Sequence, residues 1–105
     1  FEQVILLAVM RLGREAYGKT VRELLAEQLS RDVTVGALYA TLERLEVKGM
    51  VSSTLGEPTK ERGGRAKKYF KITAKGQQAL KQSKDALTLM WQGLSLRDAT
   101  TGMDS

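Results

Sequence analysis

Apolar and polar positions divide the chain into six regular stretches separated by turn-forming residues. Residues 2–12 are apolar on almost every side, which suits a buried helix or a buried strand; the length favours a helix, with Gly13 ending it. After a short connection through Arg14, Glu15 and Ala16, a second helix carries Val21, Leu24, Leu25 and Leu29 at three-to-four spacing, with Arg22, Glu23 and Glu27 outward. Its start has two readings, because Thr20 to Glu23 matches a capping box while Tyr17 and Gly18 can open the helix a turn earlier. A third helix is capped by Thr34, lines one face with Val35, Leu38, Leu42 and Leu45, and stops at Gly49. Alternation of Val51, Ser53 and Leu55 with Ser52 and Thr54, and of Phe70 and Ile72 with Tyr69, Lys71 and Thr73, predicts two strands. Pro58, Gly63 and Gly64 mark residues 56–66 as a long hairpin loop. From a Thr73 cap a last helix is expected to run to about Leu96, with Leu80, Leu87 and Leu94 at a heptad interval and Met90 and Trp91 beside them. Such a stripe needs a partner.

The predicted fold class is therefore mainly α with a small β-hairpin: three helices and a hairpin make a winged helix-turn-helix over residues 1–73. A long C-terminal dimerisation helix over 74–96 and a flexible, small and polar tail over 97–105 complete it.

At 105 residues the chain can build one core, and 42% hydrophobic with 28% charged residues is an ordinary folded balance. It contains no cysteine and no histidine, so disulfides are excluded and zinc loses its two preferred ligand types. No cofactor or metal is expected. The longest apolar run, Val4 to Met10, is far short of the roughly 20 residues of a membrane span, and no secretion signal opens the chain, which suits a cytoplasmic location. Phe1 in place of a methionine leads us to expect a few residues upstream.

The formal charge of +5 is concentrated. Between Glu57 and Gly76 stand Lys60, Arg62, Arg65, Lys67, Lys68, Lys71 and Lys75 against Glu57 and Glu61, while the rest of the chain is balanced. A basic stretch is often only a solvated loop; on a hairpin that follows three helices it points to a polyanion. The major groove is about 12 Å wide and admits one helix, whose outer face must be small or polar. Thr34, Gly36, Ala37, Tyr39, Ala40 and Arg44 meet that demand on the third helix. Tyr39 offers a hydroxyl to phosphate or packs on the second helix, and Arg44 suits phosphate or a guanine edge. In the wing, Lys60, Arg62, Arg65, Lys67 and Lys68 surround the unobstructed Gly63–Gly64 tip, which suits the phosphate backbone or the minor groove.

Several of these residues together resemble the PadR-like transcriptional regulators: Ala16-Tyr17-Gly18 before the second helix, Gly36-Ala37-Leu38-Tyr39 with Leu42, Leu45 and Gly49, the wing Arg62-Gly63-Gly64-Arg65-Ala66-Lys67-Lys68-Tyr69, and Lys71-Ile72-Thr73-Ala74-Lys75-Gly76. The resemblance covers residues 4 to about 94, with Ala40 where the family usually has proline. It implies a homodimeric repressor acting on a pseudo-palindromic DNA operator, with Tyr17 in the DNA-binding set. It also implies that the first and last helices pack against the partner, through Val4, Ala8, Leu80, Leu87, Met90, Trp91 and Leu94. Some members sense small molecules near that interface; here Trp91 offers a planar effector a surface, although an aromatic in a helical stripe is more often dimer core. The single C-terminal helix matches the shorter subgroup.

Two rival readings stand beside this one. Residues 13–20, Gly-Arg-Glu-Ala-Tyr-Gly-Lys-Thr, satisfy the phosphate-loop pattern in full, but Glu15 and Tyr17 crowd it and the chain lacks the strands of a parallel sheet. A winged helix also serves as a protein-interaction or RNA-interaction module. Enzymatic readings are weaker still, since acids such as Glu43 and Glu46 occupy ordinary exposed helical positions and are expected to be solvated.

Overall fold

The computed structural model describes residues 1–56 and 67–96. The order is α1 (Glu2–Leu12), a 3-10 turn (Gly13–Glu15), α2 (Gly18–Leu29), α3 (Val35–Val47), β1 (Val51–Leu55), β2 (Lys68–Ile72) and α4 (Ala74–Trp91). Of the sequence-predicted features, the wing-tip cations Lys60, Arg62 and Arg65 and the tail from residue 97 lie outside the described residues.

Each of the first three helices turns one apolar stripe inward. Ile5, Leu6 and Val9 from α1, Val21 and Leu25 from α2, and Leu38, Leu42 and Leu45 from α3 form the core, which Val51, Phe70 and Ile72 close from the hairpin. Val35 does not join it: it is 50% exposed at the first turn of α3, and Thr41 is buried in the stripe instead. The Thr41 hydroxyl donates to the Ala37 carbonyl at 2.9 Å, which satisfies a polar group that burial would otherwise penalise. Ala8 likewise belongs to the core of its own chain, too deeply buried for the partner-facing position expected of it; Leu7 and Met10 hold the exposed side of α1.

Of the two possible starts of α2, the earlier is the one formed, with Tyr17 as the cap and Thr20 Oγ1 accepting from the Tyr17 amide at 3.0 Å. The turn between α2 and α3 passes through Ser30 at φ 50°, and Thr34 caps α3 by accepting from the Ala37 amide at 3.1 Å. The antiparallel hairpin pairs Val51 with Ile72, Ser53 with Phe70 and Leu55 with Lys68. Leu55 sits at the outer end of this ladder, beyond the helical core, and is 73% exposed despite its alternating position.

The junction into α4 is tightly bonded. The Thr73 amide donates to the Met50 carbonyl at 3.0 Å, its hydroxyl donates to the Gly49 carbonyl at 2.7 Å, and the same oxygen accepts from the Gly76 amide at 3.0 Å. Gly76 lies directly on the Met50 carbonyl and is the one buried residue of α4. The helix ends at Trp91 rather than near Leu96, because the chain turns at Gly93, φ 78°. Leu94 therefore leaves the helical stripe, which keeps Leu80 and Leu87. Among the described residues no helix is long and apolar enough to cross a membrane.

A methyl group on Gly76 would meet the Met50 carbonyl oxygen and sit 2.8 Å from Ile72 Cγ1. Gly76→Ala is expected to destabilise the fold by about 1–3 kcal/mol, read as a lower urea midpoint in circular dichroism, with an unchanged midpoint refuting this contact.

Candidate nucleic-acid interface

The base of the wing is attached to the start of α2. Ala16, fully buried, accepts a hydrogen bond from the Phe70 amide at 2.8 Å, and Tyr17 pairs with Tyr69 in an antiparallel bridge. The two tyrosine rings meet edge to face, with centroids 5.3 Å apart and planes at 64°. Lys67 Nζ lies 4.5 Å above the Tyr17 ring and 3.4 Å from its hydroxyl. Gly56 leaves room for Tyr69, since a Cβ there would stand 2.6 Å from the ring. On the other side of Tyr17, Gly18 is covered by the phenol of Tyr39 from α3. A continuous series of contacts, Tyr39 to Gly18, Tyr17 to Tyr69 and Lys67, thus joins the first half of α3 to the root of the wing. Of its two sequence readings, the packing of Tyr39 on α2 is present in the structure.

On α3, Thr34, Gly36, Ala37, Ala40 and Glu43 are exposed. Arg44 is not aimed outward freely: its Nε is 3.4 Å from Glu2 Oε2 and its guanidinium donates to Thr41 Oγ1 at 3.1 Å. Lys48, one turn later, holds the same carboxylate at 2.9 Å. The hydrogen bond from Lys48, aided by both positive charges, keeps the Glu2 carboxyl below its ordinary pKa despite the opposing effect of burial. Glu46, expected to be solvated, instead accepts from the Ser53 hydroxyl and faces Lys68 at 3.5 Å; these two, Ser53 first, hold its carboxyl low. Lys68 is consequently turned toward α3. Neither Glu2 nor Glu46 was selected by motif reasoning, although two cations one turn apart on α3 were a visible signal for a bridging acid.

The phosphate-loop reading fails on hydrogen bonding. The Ala16 amide donates to the Gly13 carbonyl at 3.3 Å, the Tyr17 amide to Thr20 Oγ1, and the Thr20 hydroxyl to the carbonyls of Glu15 and Tyr17. The Ala16 and Tyr17 amides and the Thr20 hydroxyl are thus engaged within the chain, and the sheet formed by the described residues is a two-stranded antiparallel hairpin, not a parallel sheet. Among the described residues no cluster of three or more acids could hold a metal.

On the far side, α1 and α4 are tied by Gln3 Nε2 donating to Ser83 Oγ at 3.0 Å. Leu7, Met10, Leu80, Leu87 and Trp91 line a groove of about 750 Å³ between them. Leu87, Met90 and Trp91 are exposed, whereas Val4 is half-buried against the core.

A helix-turn-helix followed by a hairpin fixed beside its second helix defines a winged helix-turn-helix protein. The family model described as the transcriptional regulator PadR-like family matches residues 6–82, and the chain belongs to this family. Among solved structures it is similar to a transcriptional regulator from Clostridium thermocellum (25% identity, TM-score 0.72, covering 87% of this chain and 85% of that one). It is also similar to a PadR-like transcription factor from Bacteroides fragilis (28%, 0.69, 85% and 81%) and a PadR-like regulator from Bacillus cereus (25%, 0.68, 85% and 82%). No curated protein matches the chain. The chain is thus a DNA-binding transcriptional regulator and not an enzyme.

The Glu2 contacts carry a pH dependence. A carboxyl whose folded pKa lies below its ordinary 4.5 contributes stability that is complete above that value and is lost as the pH falls through the depressed one. Glu2→Gln should therefore narrow the stability difference between pH 7 and pH 3, measured by urea denaturation; an identical difference in both proteins would show the contacts to be energetically silent.

Proposed function

We propose that the protein is a dimeric repressor that inserts α3 into the major groove of each half of a pseudo-palindromic operator and lays its basic wing on the backbone or in the minor groove. The observation that carries this reading is the contact series from Tyr39 through Gly18 and Tyr17 to Tyr69 and Lys67, because it sets the exposed side of α3 and the wing root beside one another. One duplex can then touch both. Tyr17, Thr34, Gly36, Ala37, Tyr39 and Lys67 would meet DNA, and Lys60, Arg62 and Arg65 would neutralise phosphates. Arg44 and Lys68 would have to leave half-buried acidic partners near the surface, a small cost for pairs this close to solvent.

Dimerisation follows from α4. Its 18 residues form a rod about 27 Å long, and a helix of this length holding a single buried residue has little to stabilise it alone. Leu80, Leu87, Met90 and Trp91, with the exposed side of α1, supply the apolar surface, while Val4 packs half-buried against the core. A dimer across an operator that overlaps a promoter excludes polymerase. An effector would enter the α1–α4 groove beside Trp91.

Two measurements test this. Leu87→Glu should sediment as a monomer whose helix content falls as α4 loses its partner, whereas a mutant that still sediments as a dimer would refute the interface. Changing Arg62 and Arg65 to alanine should weaken all duplexes alike and reduce the slope of log affinity against log salt by roughly 2; an unchanged slope would exclude those contacts. Preference for single-stranded RNA, or no duplex binding at all, would overturn the DNA reading itself.

A further inference from the structure

The exposed stripe of α3 is Gly36, Ala40 and Glu43, at spacings of four and three residues and opposite the buried stripe of Leu38, Leu42 and Leu45. It lacks a cation: Arg44 and Lys48 both lie against Glu2, and Glu46 is paired with Ser53 and Lys68. Gly36 has no internal reason to be glycine. Its φ is not positive, and a Cβ built there would meet nothing within 4 Å. Glycine is a poorer helix former than alanine even where, as at this second position of α3, nothing inside the chain requires it, which suits something outside the chain that approaches the bare backbone.

Resting on the DNA reading above, we propose that α3 reads its half-site by close backbone approach at Gly36, by Ala40 on a thymine methyl, and by the Glu43 carboxylate on a cytosine amino group, without an arginine on guanine. Gly36 to Glu43 spans about 10 Å along the helix, the length of about three base pairs. A carboxylate is repelled by phosphates, so Glu43 belongs at the centre of the groove, where base amino groups are its favourable partners. Cytosine N4 suits it best, because the adenine amino group stands next to the N7 acceptor. A small methyl side chain such as Ala40 complements the thymine methyl and gains the burial of one carbon.

The test starts from the sequence selected by the purified protein out of random duplexes. Replacing each thymine with uracil should weaken binding by about fourfold at one base pair per half-site, the equivalent of one buried carbon. Glu43→Ala should abolish a cytosine preference on the order of tenfold at one pair. Gly36→Ala should melt at the same or a higher temperature yet bind the selected duplex at least about tenfold more weakly, a cost of about 1.4 kcal/mol. Sequence-selective binding that is indifferent to uracil and to Gly36→Ala, or a guanine preference lost in Arg44→Ala, would overturn this assignment while leaving the DNA reading intact. Failure to bind any duplex would overturn both.

Discussion

The orientation of the wing depends on one short seam, the hydrogen bond from the Phe70 amide to the Ala16 carbonyl and the Tyr17–Tyr69 bridge beside it. A two-stranded hairpin is marginal by itself in water, and β1 and β2 bury only Val51, Phe70 and Ile72. Adding the backbone of residues 16 and 17 along the free edge of β2 gives the hairpin a third partner and ties it to the cap of α2. The small residues follow from this. Ala16 is fully buried, Gly18 accepts the phenol of Tyr39, and Gly56 accepts the ring of Tyr69. Each allows an aromatic or a strand to come closer than a side chain would permit.

A second consequence is a separation of charge from readout. Helix α3 places its cations on Glu2 and its paired acid on Ser53 and Lys68, which braces it against α1 and against β1 and β2. These pairs lie near the surface, each worth little in stability, but they determine where the side chains point. Attraction to a polyanion then rests on the basic segment that begins beyond Gly56 and ends in β2. In the proposed complex, such an arrangement would make affinity salt-dependent and largely blind to sequence, and would leave discrimination to uncharged or acidic groups on α3.

The element order, the helix stripes and the strand alternation were legible because each rests on a local period. What escaped the sequence was set either by partners distant in the chain or by a local bond or turn that a hydrophobic period does not register. Val35 satisfies the stripe but falls at the first turn, where α3 has not yet met the core, and Thr41 becomes burial-compatible through a hydrogen bond within its own helix. Glu2 and Arg44 are 42 residues apart, so no window could join them. Leu94 kept the heptad in the sequence and lost it in space, because Gly93 turns the chain first. The phosphate-loop match at residues 13–20 shows the converse: the letters fit, yet the same small residues serve a tight turn and a helix cap that engage the amides internally.

In the proposed dimer, the junction at Thr73 would connect the geometry of α4 to that of α3. Three hydrogen bonds join this residue to Gly49, Met50 and Gly76, and the Met50 amide in turn donates to the Leu45 carbonyl at the end of α3 at 2.8 Å. Helix α4 is therefore rooted on the last turn of α3 without a flexible linker between them. In the proposed dimer, the angle at which two α4 rods cross fixes the distance between the two α3 helices, and a rod about 27 Å long converts a small rotation at its far end into a displacement of several ångströms. A ligand that wedges the α1–α4 groove near Trp91 needs no contact with helix α3 to change its spacing; it needs only to bind the two crossing angles with different affinity.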